Sequence, residues 1–230
     1  MFSFIKKLIN IIMITILLII AYYGYSGYKM YKEAISKISL NDKVLEIKSN
    51  ENYTKLSDIS TTYKDALISI EDHRFYEHHG IDLISIARAI FINIQDKEFE
   101  QGGSTITQQL SKNLYFSQSK RIERKFAELF VTYDLEKNYS KDEILELYIN
   151  TMYFGNGYYG IKQATEGYFH KQPSELDKYE ATLLAGITNA PSIYSSEKNK
   201  DLATQRQKLV LNAMVKYNKI NQDEADKILE

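Results

Sequence analysis

"LISIARAIFINI", Leu83 to Ile94, sets Leu83, Ile86, Ala87, Ile90, Phe91 and Ile94 at i, i+3, i+4, i+7, i+8 and i+11. A 3.6-residue period aligns these positions on one face, so the stretch reads as a helix with a buried apolar stripe. The same period recurs outward along the chain. Ile122, Phe126, Leu129, Phe130 and Tyr133 make a second stripe. "SKDE" at Ser140 to Glu143 has the form of a capping box, and "ILELYIN" follows it. Leu176 to Ile187 and Leu202 to Tyr217 read as two further helices. There is no internal repeat and no convincing strand alternation. With only two Pro and ten Gly in 230 residues, the expectation is a mainly α protein.

Composition narrows the function. A formal net charge of −1 argues against a nucleic-acid partner, which would draw a basic excess. The absence of Cys removes disulfides, thiolate metal sites and Cys nucleophiles. At the N-terminus, "LINIIMITILLIIAYYGYSGY", Leu8 to Tyr28, carries no charge over about the length that spans a bilayer core. Lys6 and Lys7 precede it, and Tyr22, Tyr23, Tyr25 and Tyr28 fall where an interfacial belt would lie. Bulky Tyr22 after Ala21 spoils a small-x-small cleavage site, so the segment reads as an uncleaved anchor with its N-terminus inside. Lys29 and Lys32 beyond the span keep that charge bias slight. The organisation expected is an anchor over 1–28, a polar stalk over 29–54 and one domain over 55–230.

Three polar stretches stand out. "IEDHRFYEHH", Ile70 to His79, holds seven ionisable side chains: Glu71, Asp72, His73, Arg74, Glu77, His78 and His79. Its helix begins before Ala66 and is expected to end at Gly80. Glu71 follows an apolar run, and desolvation there would make its carboxylate a better general base. No His pair has the i, i+4 spacing of a helical zinc site. Taken alone, a charged surface is the simpler reading. "QGGSTITQQLSKN", Gln101 to Asn113, is either an anion-binding helix start or a loop with Ser104 as N-cap. Thr105, Gln108, Gln109 and Lys112 would fall near one helix face, with Ile106 and Leu110 left for the core. That face suits an anionic, sugar-like ligand, and equally solvent. In "SKRIERKFAELF", Arg121, Arg124, Lys125 and Glu128 share a face. They form an ordinary i, i+4 pair or a cationic surface for phosphate with a carboxylate beside it.

In this order behind an anchor, the chain resembles the peptidoglycan glycosyltransferases of family 51, in their monofunctional biosynthetic form. "EDHRFYEHHGID", "GGSTITQQLSKN", "RKFAELF", "ILELYINTMYFGNGYYGIKQAT" and "EATLLAGITNAPSIY" match five family motifs across about residues 55 to 217. The resemblance implies a lysozyme-like, two-lobed, mainly α domain whose smaller jaw, after Asp82 and before Gly102, faces the membrane. It implies polymerisation of lipid II into β-1,4 glycan strands on the outer face of the cytoplasmic membrane, with inversion and release of undecaprenyl pyrophosphate. Lipid II, the growing glycan chain, the membrane and other cell-wall synthesis proteins are the partners so implied. Glu71 takes the place of the base, and Glu128 that of the second carboxylate, near the pyrophosphate. Thr105, Gln108, Lys112, Lys120, Arg124 and Lys125 are the implied substrate contacts, and Asp72 and His78 take supporting places.

Lys120 stands where the family has Arg, with Arg121 beside it, so the choice between them stays open. "YSSEKNKD" from Tyr194 lacks the family's prolines, which predicts a different local loop. No cofactor is obligatory in this reading, and a role for Mg or Mn stays open. Two rivals remain: a lytic enzyme that cleaves glycan, and a non-catalytic membrane-anchored scaffold. The lytic rival has no pyrophosphate to hold and so no use for the cations beside Glu128. The ending "DEADKILE" reads as a natural helical finish.

Overall fold

A computed structural model describes residues 2–96, 102–116, 121–195 and 199–230. Its helices are α1 (Phe2–Lys37), α2 (Leu40–Lys48), α3 (Thr61–Glu71), α4 (Leu83–Asp96), α5 (Ile106–Tyr115), α6 (Ile122–Asn138) and α7 (Lys141–Thr151). They continue with α8 (Ile161–Phe169), α9 (Lys178–Ile187), α10 (Pro191–Tyr194), α11 (Lys200–Lys216) and α12 (Gln222–Leu229). Among the described residues the β contact is one isolated bridge, Tyr153 to Tyr159. The protein is mainly helical, as the periodicity requires.

Caps written in the sequence fix several helix starts. Ser140 and Glu143 form the expected reciprocal box at α7. Asp177 with Glu180 and Asn221 with Glu224 do the same at α9 and α12. The core then forms where apolar faces converge. α3 packs against α9 and α11, and α5 packs against α6 and α7. Tyr63, Leu67, Phe75, Ile106, Leu110, Leu135, Ile144 and Leu147 are all sealed from solvent there.

Two expected apolar stripes face other surroundings. On α4, Leu83, Ala87 and Phe91 stand exposed, Leu83 at 74% and Phe91 at 68%. Ala89 of this helix is buried, near Gly103 of the following segment. Periodicity reports that one face is apolar and says nothing of what covers it. The expected burial of this stripe is therefore corrected. Residues 97–101, the end of the expected jaw, lie outside the described residues. On α6, Phe126 and Phe130 meet α1, while Ala127, Val131 and Leu135 face the core.

The segment expected as a stalk is helical over most of its length and packs on the domain. α1 continues to Lys37 in one piece, and its lower part lies along α6. Tyr28 and Tyr31 pack on Phe130, with ring centroids 5.4 and 5.5 Å away, and the Tyr31 hydroxyl donates to Asp134 at 2.6 Å. Gly27 permits the contact. A Cβ there would fall on Phe126 Cβ and within 2.9 Å of Ala127 N and Glu123 O. Val44 of α2 is buried in the core. Beyond it, the Tyr53 hydroxyl bonds to Glu146, and Thr54 N donates to Asn150 at 2.8 Å.

Candidate active site

Glu71 is the last residue of α3, which stops nine positions short of the expected Gly80. The reason is the next side chain. Asp72 turns back to accept from the Ile106 backbone N–H, at the start of α5, at 3.0 Å. It also accepts from His78 Nε2 at 3.0 Å. The Gly80 N–H donates to His78 Nδ1 at 3.1 Å, which places the histidine proton on Nε2. The Thr105 hydroxyl in turn donates to Gly80 O at 2.6 Å. Gly80 takes φ +83° in this turn, and a Cβ there would strike Thr132 and Glu136 of α6. A buried lattice of Asp72, His78 and Gly80 thus joins the end of α3 to the start of α5.

α5 presents the second group. Thr105, not Ser104, is its N-cap. Thr105 Oγ1 accepts from Gln108 N at 3.1 Å, and Gln108 Oε1 accepts from Thr105 N at 3.1 Å. Both side chains are buried, so the two expected substrate contacts are engaged in the helix cap. Gln109, one residue on, points into the site instead. Its Nε2 donates to Glu71 Oε2 at 2.8 Å, and its Oε1 accepts from the Tyr148 hydroxyl at 2.8 Å. Sequence reasoning set Gln109 on the polar face of α5 but assigned it no contact. Its partner Tyr148 lies on a different helix, and no spacing in the sequence announces that meeting.

α6 supplies the third group. Glu128 is buried, and its two oxygens bond to Arg124 and to Lys125 Nζ, the latter at 3.0 Å. Lys125 also donates to Ser104 Oγ at 3.0 Å, which ties the glycine-rich loop to α6. Arg121, exposed, pairs with Glu123 at 3.8 Å. Lys120 lies outside the described residues. Lys112, from α5, is half-buried. Burial pushes its ammonium below the usual lysine range, opposed by the fields of Glu128 and Glu71. The helices α3, α5 and α6 thereby bring Glu71, Lys112, Arg124, Lys125 and Glu128 into one electrostatic neighbourhood. Among the described residues, no three His, Asp or Glu side chains converge as a metal-binding group.

The changed loop expected after Tyr194 falls partly on residues 196–198, outside the described residues. Gly155 packs against Pro191 and Ser195 on its described side.

Comparison with known proteins identifies the family. A family model described as transglycosylase matches residues 40–215. The chain is 44% identical over 178 residues to penicillin-binding protein 2D of Bacillus subtilis (strain 168), covering 77% of this chain and 26% of that protein. It is 39% identical over 200 residues to penicillin-binding protein 1A of Neisseria lactamica, covering 86% of this chain and 25% of that protein. The chain therefore spans about a quarter of the length of the curated relatives it matches. With the family model spanning most of its residues, the chain belongs to the transglycosylases, the peptidoglycan glycosyltransferases of family 51.

Proposed function

We propose that the chain polymerises lipid II, joining the growing glycan to the incoming disaccharide and releasing undecaprenyl pyrophosphate. The observation that carries this reading is the pairing of a partly buried, singly anchored carboxylate with a cationic cluster around a second one. In it, Glu71 removes the proton from the sugar hydroxyl of the incoming lipid II as that oxygen attacks the anomeric carbon of the donor. The bond to pyrophosphate breaks on the opposite face, so the α-linked donor becomes a β-1,4 linkage. A neutral hydroxyl needs a base, whereas pyrophosphate needs its developing charge met by fixed cations. Lys112, Arg124 and Lys125 are the groups for that task, with Glu128 holding the last two in place. Thr105 and Gln108 set the start of α5, and no obligatory metal is part of this reading. A glycan-cleaving enzyme would have no use for the cations, which favours transfer over lysis.

The apolar helix over Phe4–Lys37 is long and apolar enough to cross a membrane. Exposed Leu83, Ile84 and Phe91 on α4 offer a second apolar surface. Together they support a single-pass anchor with the catalytic domain on the outer face and α4 touching the bilayer. The test is incubation of the detergent-solubilised chain with labelled lipid II. High-molecular-weight glycan that muramidase degrades is expected; no polymer from folded protein would overturn the reading.

A further inference from the structure

The two oxygens of Glu71 are not equivalent. Oε2 accepts from Gln109 Nε2 at 2.8 Å. Oε1 has the Thr188 hydroxyl 3.5 Å away, at the edge of any bonding distance. Thr188 has one proton, and it is given to Ala185 O at 2.9 Å. Oε1 therefore keeps its lone pairs. The orientation of the Gln109 amide is fixed by what lies behind it. Tyr148 donates to Gln109 Oε1 at 2.8 Å from a fully enclosed position, which turns the NH2 group toward the carboxylate. Without that hydroxyl the amide could turn over and set its oxygen against Glu71.

We propose that Tyr148 and Gln109 form a positioning relay that orients the Glu71 carboxylate and reserves its Oε1 oxygen for the substrate proton. The proposal rests on the reading of Glu71 as the base. The step balances simply. The proton of the attacking hydroxyl passes to Oε1, the new C–O bond forms, and the pair of the broken C–O bond leaves with the pyrophosphate. Other groups also bear on the Glu71 charge: Lys112 from α5, Tyr63 from α3 and Tyr148 from α7. Thr188, at the end of α9, contributes a hydroxyl that does not titrate. Tyr63 is a second enclosed phenol, and its hydroxyl has no partner among the described residues.

Tyr148→Phe removes one oxygen and keeps the ring, and Gln109→Met keeps the length of the side chain without its amide. In the full-length chain, each is expected to lower kcat roughly tenfold, the scale of one hydrogen bond to a charged group, with KM little changed. The acid limb of the pH profile should move upward, because the carboxylate loses a donor. The double variant should be no worse than Gln109→Met, since Tyr148 acts only through Gln109. Unchanged kcat and acid limb in Tyr148→Phe, or effects that multiply in the double variant, would overturn the relay.

A second measurement separates this from the activity itself. The infrared carboxylate band lost in Glu71→Gln identifies Glu71, and its titration needs no turnover. If the wild-type chain makes no polymer, the polymerase reading fails. The relay is then judged by whether that band titrates at higher pH in Tyr148→Phe, and an unmoved titration ends it.

Discussion

At the scale of single residues, the site separates groups of similar chemistry by their surroundings. Glu71 has one donor and one open oxygen, while both oxygens of Glu128 are occupied by cations. The first is available to take a proton and the second is not. Glu71→Gln is therefore expected to lower polymerisation by about 10²–10⁴-fold with the melting temperature unchanged. Assay beside thermal unfolding checks both, and normal turnover would remove Glu71 as the base. Lys112 carries a different prediction. Because burial lowers its folded pKa, it loses its charge at lower pH than an ordinary lysine, near 10.4. Polymerisation should fall on the alkaline side as the ammonium is lost. In Lys112→Arg, whose guanidinium stays charged, that fall should move to higher pH. A coincident alkaline limb in the two pH profiles would take Lys112 out of the proposed pyrophosphate site.

At the scale of elements, much of the fold was legible because helix signals are local. The box at Ser140 and the periods of α6, α9 and α11 all appear where the residues placed them. What was not legible depended on contacts between elements. The end of α3 was set by Asp72 reaching the first N–H of α5, 34 positions away, and nothing in "IEDHRFYEHH" states that. Likewise the "TITQQ" run gave two candidates, Thr105 and Gln108, and a bystander, Gln109, and the capping box reversed their parts: Thr105 and Gln108 cap the helix and Gln109 enters the site. Thr105→Ala should cost about 1 kcal/mol by loss of that cap, read from the denaturation midpoint. The exposed stripe of α4 allows a cleaner test, since the chain has no Cys to compete for a label. A spin label at Ala87→Cys, in chain reconstituted into vesicles, should be relaxed more by oxygen than by a water-soluble nickel complex. The same label at Leu209→Cys, exposed on α11, should show the reverse. Equal behaviour at both sites would remove α4 from the bilayer surface.

At the scale of the whole molecule, the long N-terminal helix and the catalytic domain are not loosely joined. α1 lies on α6, and α6 carries Arg124, Lys125 and Glu128 on another side. Gly27 is a point of close approach. Gly27→Leu should force the two helices apart at a cost of about 1–3 kcal/mol, lowering the melting temperature and slowing polymerisation several-fold. Unfolding curves and rates unchanged from wild type would show the contact to be incidental. The same arrangement has a kinetic consequence. On the proposed function, α1 in a bilayer would hold α6 at one height above it, and a lipid-linked sugar would reach Glu71 by lateral diffusion within the same sheet. Encounter then becomes a two-dimensional search. Its rate follows the number of substrate molecules per unit area, so adding inert lipid to a fixed amount of enzyme and substrate slows the polymer even when nothing in the bulk volume has changed.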